Sequence, residues 1–116
     1  MFSSNSNSSD PEFLKTLLQP LLEDFQYWFD RSSTLLENET IDFLGDDLQA
    51  DLLARVKQAQ QEVGTAQMLL KATDGQVGLE TSILMPWHQL VTECWQVSMR
   101  HRAQRSTSDS AKNLRD

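Results

Sequence analysis

Apolar residues recur at alternating steps of four and three along three segments of this 116-residue chain. That spacing puts them on one face of an α-helix, and no stretch shows the every-second-residue alternation of a half-buried strand. The first segment carries Leu14, Leu18, Leu21, Phe25, Trp28 and, after a gap at Ser32, Leu35. Leu17, Leu22, Phe29 and Leu36 widen this stripe beyond the narrow seam of a two-stranded coiled coil, as a helix in a bundle requires. Asp10-Pro11-Glu12 supplies a capping carboxylate, a proline at the first helical position and an acid in the first turn, so the helix starts there. Both stripes continue across Pro20, which predicts a kink rather than a break.

The second segment follows the acids Asp46 and Asp47 and reads Leu48, Leu52, Val56, Ala59, Val63, Ala66 and Leu70, with Leu53 and Leu69 at its margins. Asp74-Gly75 is its expected stop. Gly64 costs a helix about 1 kcal/mol against alanine, and close helix packing is the expected reason to keep it. In the third segment Ile83, Trp87, Leu90, Cys94 and Val97 form the stripe, flanked by Leu84, Val91, Trp95 and Met99. Thr81 or Ser82 can cap it, with Pro86 around the first turn. Ile41, Phe43 and Leu44, between the first two segments, are expected to plug one end. The prediction is an all-α fold: an antiparallel three-helix bundle, or a long helical hairpin plus a third helix, with helices near 11–37, 46–73 and 82–102.

The ends read differently. Residues 1–9 and 104–116 are polar and Ser-rich, too poor in large apolar groups to offset the entropy of ordering them, so both are expected as disordered tails around a domain at 10–103. No signal peptide and no apolar run of membrane-spanning length is present, and the lone Cys94 suits a reducing compartment, so a cytoplasmic setting is expected. Charge is uneven. Up to Met99 there are 5 Lys/Arg against 15 Asp/Glu, and from Arg100 onward 5 against 2. An acidic body repels nucleic acid and anionic membranes, and neither is expected as a partner.

"MPWHQLVTECWQVSMRHR", residues 85–102, gathers two of three tryptophans, the cysteine and both histidines. It invites a search for chemistry. His88 and Cys94 are six positions apart on a helix, about 240° around the axis, so base and nucleophile diverge. His88 and His101 are 13 residues apart, too far to share a metal on one helix, and no Glu-x-x-His pair occurs. The acidic run from Asp42 has Leu53 where a calcium loop needs its bidentate glutamate. No catalytic, metal or cofactor residues are therefore assigned, and no enzyme activity is expected. Trp87, Leu90, Val91, Cys94, Trp95 and Val97 are expected in the core, with His88, Gln89, Thr92, Glu93 and Gln96 in water. Trp28, like Trp95, is expected inside.

What remains is a set of candidates for contact with a partner: Phe13 and Tyr27 on the shoulders of the first helix, His88 beside a core tryptophan, and the cations Arg100 and Arg102. "LLEDFQYWFDRS", "QADLLARVKQAQQEV" and "LMPWHQLVTECWQV" together make roughly residues 12–102 resemble a family of small cyanobacterial proteins without an assigned function. The resemblance implies a cyanobacterial cytoplasmic origin and carries no site residues with it. The reading is of a non-enzymatic helical interaction protein, an adaptor or regulator. Its alternative is a ligand- or pigment-binding bundle that uses the tryptophans. The breadth of the first stripe also suggests a homodimer, since three helices leave part of it uncovered.

Overall fold

A computed structural model describes residues 11–72 and 81–115, with side chains over 15–72 and 84–106. Three helices follow one another: α1 (Pro11–Asn38), α2 (Gly45–Ala72) and α3 (Thr81–Arg115). α1 and α2 form an antiparallel hairpin, and α1 packs against both of the others. Phe25 meets Trp87, and Glu39 meets His101. Each pair lies the same number of residues further on, so α3 runs parallel to α1 and passes the turn near His101. α1 continues unbroken through Pro20. α3 goes on past Arg102 to Arg115, where a disordered tail had been expected from residue 104; the intervening residues include no proline or glycine to stop a helix. The tail expected at 1–9 and the stop at Asp74-Gly75 lie outside the described residues.

The core is one cluster. Leu22, Phe25, Phe29 and Leu36 of α1 meet Leu52, Val56, Ala59, Val63, Ala66 and Leu70 of α2, and Trp87, Leu90, Val91, Cys94 and Val97 of α3 close the third side. The α2 stripe is the one expected from the sequence, except that Leu48 is exposed. On α1 the two expected stripes are redistributed. Leu22, Phe29 and Leu36, assigned to the margin, join Phe25 of the main stripe as the buried line, whereas Leu21 and the marginal Leu17 are exposed and Trp28 and Leu35 are half-buried. The reason is that α1 serves two neighbours and its most buried line lies between them. Ser33 sits on that line and keeps its hydroxyl satisfied by donating to the Asp30 carbonyl, 3.2 Å away.

Ile41 is fully buried at the turn, with Phe43 and Leu44 packed on the core beside it, which is the expected plug. Gln49, on the first turns of α2, holds it in place. Its Nε2 donates to the carbonyls of Leu36 and Glu39, at 2.9 and 2.7 Å, and its Oε1 accepts from the Ile41 N–H at 2.9 Å. One amide thus closes the C-terminal end of α1, where the last turn has no basic residue to do so. Gly45 follows with φ +77°, a left-handed conformation that glycine adopts without strain. Gly64 does not match its expectation of close packing: a Cβ there would lie 3.7 Å from Gln26 Nε2, an ordinary contact.

Two clamps tie α2 to α3. Trp87 Nε1 donates to Glu62 Oε1 at 2.9 Å. Further along, the Arg55 guanidinium donates to both oxygens of Glu93, at 2.8 and 2.9 Å, and its Nε donates to Asp51. The hydrogen bonds from Arg55 hold the Glu93 carboxyl below the usual carboxylate range, against the opposing effect of burial.

Gln49→Ala is expected to destabilise the protein by about 1–3 kcal/mol in urea unfolding followed by circular dichroism, because three backbone groups lose their partner together. Gln49→Glu keeps the acceptor for Ile41 but turns a carboxylate oxygen towards the Leu36 and Glu39 carbonyls, and should destabilise at least as much as Gln49→Ala at neutral pH. A carboxylate whose folded pKa is depressed stabilises the fold above its unfolded pKa, about 4.3, and that contribution is lost as pH falls through the folded value. Stability should therefore decline on acidification below about pH 4.3, with a smaller decline in Glu93→Gln than in the parent. The effect should be modest and should shrink in salt, since both partners are half exposed.

Candidate functional site

Outside the shared core, α1 and α3 also meet through aromatic rings. The rings of Trp28 and Trp95 lie edge to face with centroids 5.2 Å apart, and the Tyr27 ring stands nearly perpendicular to that of Trp28 at 5.1 Å. Trp28 is half-buried, but Trp95 is 44% exposed and Met99, one turn on, is 66% exposed. This corrects the expectation of an interior Trp95. The indole covers α1 at the edge of the bundle, and its outer face remains in water.

Beside this pair the helices part to form an open cleft of about 560 Å³. Trp28, Leu35, Trp95 and Met99 are its apolar surfaces, Cys94 lies beneath, and Ser32, Ser98 and Ser106 contribute hydroxyls. Arg31, His101, Arg102 and Arg105 complete the lining, which includes no carboxylate residue. Arg31 is held by its own helix. Its guanidinium lies 5.6 Å from the Tyr27 ring centre and 6.0 Å from that of Trp28, and it donates to the Tyr27 hydroxyl at 3.0 Å. Arg105 donates to Glu39 Oε1 at 3.1 Å, and His101 Nε2 lies 3.3 Å from the same oxygen. Glu39 thus anchors α3 to the turn from outside the cleft. Past Arg31 the surface continues into a shallower depression bearing Tyr27, Asp30, Thr34 and Glu39.

The thiol of Cys94 faces this region but is not activated. Burial pushes its pKa up, opposed by a hydrogen bond with the Ser32 side chain. It is therefore held as a thiol at neutral pH. Among the described residues no three His, Cys, Asp or Glu side chains gather where they could hold a metal. A second depression, of about 620 Å³, crosses α2 and α3 beside Trp87, but amides, Thr65 and Glu62 line it and no cation does.

The candidate residues from the sequence divide accordingly. Arg102 lines the cleft, and Tyr27 flanks it through Trp28 and Arg31. Arg100 points elsewhere, with its guanidinium 4.3 Å from the centre of the Phe43 ring at the turn. His88 is exposed on its own, away from the cleft lining. The side chain of Phe13 lies outside the described residues. Arg31, His101 and Arg105 line the cleft without being among the candidates. A signal for Arg31 was present, since it stands four residues after Tyr27 and three after Trp28, the spacing at which helical side chains touch.

The chain matches the model of a family described as Protein of unknown function (DUF2605) over residues 8–103. It belongs to that family. No curated protein and no solved structure matches the chain. The family model ends beside the cleft, so the matched region includes Trp28, Arg31, Trp95 and Arg102 but not Arg105. Within described helices the chain has no segment long and apolar enough to cross a membrane.

Trp87 and Trp95 should respond differently to truncation. Trp87 is 3% exposed and carries the bond to Glu62, so Trp87→Ala is expected to cost about 3–5 kcal/mol in chemical denaturation. Trp95→Ala removes the edge-to-face pair with Trp28 and the burial of only part of the indole, and is expected to cost less, about 1.5–3 kcal/mol. Equal losses would contradict this placement of the two rings.

Proposed function

We propose that the protein is a non-enzymatic helical interaction module, an adaptor or regulator in a cyanobacterial cytoplasm, and that the α1/α3 face is its docking surface. One observation carries this reading: Trp95, Met99, Tyr27, Arg31 and Arg102 present themselves on or beside a single cleft. Tryptophan, tyrosine and arginine dominate the energetics of protein interfaces, and methionine adapts its shape to what it meets. A fold with no partner to contact gains little from leaving an indole and a thioether in water on the same side. The rest of the chain, with its acidic surface and close-packed core, supports the role of a rigid carrier for that face.

A second reading, the ligand- or pigment-binding bundle, is favoured by the volume of the cleft, which falls within the range of small-molecule sites. The core aromatics close on one another, with Phe25 against both Phe29 and Trp87, so a ligand would sit in the cleft rather than among them. Protein purified from its native cell would then absorb beyond about 300 nm, where tryptophan and tyrosine do not.

Affinity capture from native lysate is the test. The parent chain and His88→Ala are expected to retain the same partner, with His88→Ala shifting stability by under about 0.5 kcal/mol. Trp95→Ala should lose that partner while its cooperative melt remains. Capture of the same proteins by Trp95→Ala and the parent would refute the docking face.

A further inference from the structure

Resting on that reading, we infer that the α1/α3 cleft takes an acidic amphipathic segment of its protein partner, with one bulky apolar side chain entering between Trp95 and Met99 and flanking carboxylates meeting Arg31 and Arg102. Charge complementarity is the argument. The chain has 17 Asp and Glu against 10 Lys and Arg, yet three of those arginines line one cleft whose own lining includes no carboxylate, Glu39 reaching Arg105 from outside it. Chance mixing of charges over an acidic surface does not favour such a segregation.

The treatment of individual arginines sharpens the point. Arg55, on the other side of α3, meets Glu93 and Asp51 together. Arg105 is matched by Glu39. Arg31 makes its contacts with Tyr27 and Trp28, and among the described residues no carboxylate forms an ion pair with it or with Arg102. Arg31 is thus already oriented, its guanidinium laid over rings and fixed by the tyrosine hydroxyl, with donors left over for a planar carboxylate. An oriented Arg31 and a second cation, Arg102, in the same lining as an exposed indole and thioether fit a segment with an apolar anchor and acids around it. The cleft is open to solvent and lined by two helices along its length, which lets a peptide chain enter and leave. A nucleic acid is a poorer match, because its phosphates would also face the acidic remainder of the body.

Selection from a phage-displayed random 16-residue library on the full chain, with counter-selection on Trp95→Ala, tests the inference. Enriched peptides are expected to carry an excess of Asp and Glu around a bulky apolar residue. Their synthetic versions should bind with one-to-one stoichiometry, more weakly as salt rises. Arg31→Gln and Arg102→Gln should each weaken binding about tenfold or more, with melting unchanged, and His88→Ala should not. The inference is overturned if the library yields no enrichment or peptides without acidic bias, or if binding is indifferent to Arg31 and Arg102. It is overturned equally if decanoate saturates the cleft and no peptide does, or if light scattering shows a dimer that Trp95→Ala dissociates. Should acidic peptides fail while native capture still depends on Trp95, only the partner's chemistry is wrong; should they succeed while capture ignores Trp95, the docking role falls.

Discussion

The turn between α1 and α2 depends on a single side-chain amide, and much of the structure depends on that turn. Gln49 satisfies the carbonyls of Leu36 and Glu39 and the N–H of Ile41, fixing the path of the chain as it leaves α1. That path drives Ile41 into the core and places Phe43 where Arg100 covers it. It also points the Glu39 carboxylate at His101 and Arg105, so the end of the hairpin grips α3. A local capping problem, the unsatisfied carbonyls at the end of a helix, is solved in a way that organises contacts with an element more than fifty residues away.

α3 is consequently held at two levels, by Trp87 with Glu62 near its start and by Glu39 beyond the core. Between them, on the α2 side, Arg55 and Glu93 draw the helices together. On the α1 side the same stretch of α3 is spaced by Trp28 and Trp95, whose crossed rings keep the helices apart where smaller residues would let them close. The cleft is a product of that asymmetry. Its tryptophans are at once the spacer that forms it and the apolar surface it offers.

How much of this was legible follows from how each residue is engaged. The α2 stripe was readable from Leu52 to Leu70 because that helix buries one narrow face. α1 carries two overlapping stripes for two neighbours, and periodicity alone does not say which is deeper, so Phe29 and Leu36 exchanged places with Leu21 and Trp28. Trp95 was misread because hydrophobicity records what a side chain favours, not whether the bundle has room to cover it. Arg102, a candidate for its position at the basic end, lies in the cleft lining. Gln49 and the Gln26–Gln60–Asp30 contacts between α1 and α2 leave no period in a sequence, since each joins residues far apart through a side chain common on any surface. The end of α3 was set too early because polar residues without helix breakers read equally well as tail or as solvated helix.

The overhang of α3 past the turn has an electrical consequence. Up to Met99 acids exceed bases by ten, and beyond it bases exceed acids by three. The basic run of α3 therefore begins beside the turn, whose flanks carry Glu37, Glu39, Asp42, Asp46 and Asp47. Opposite charges face one another at this end, with Glu39 against both His101 and Arg105. Attraction of this kind between exposed groups is screened over about 8–10 Å at cellular salt, so the grip of the turn on α3 is strongest in dilute buffer and relaxes as ions are added.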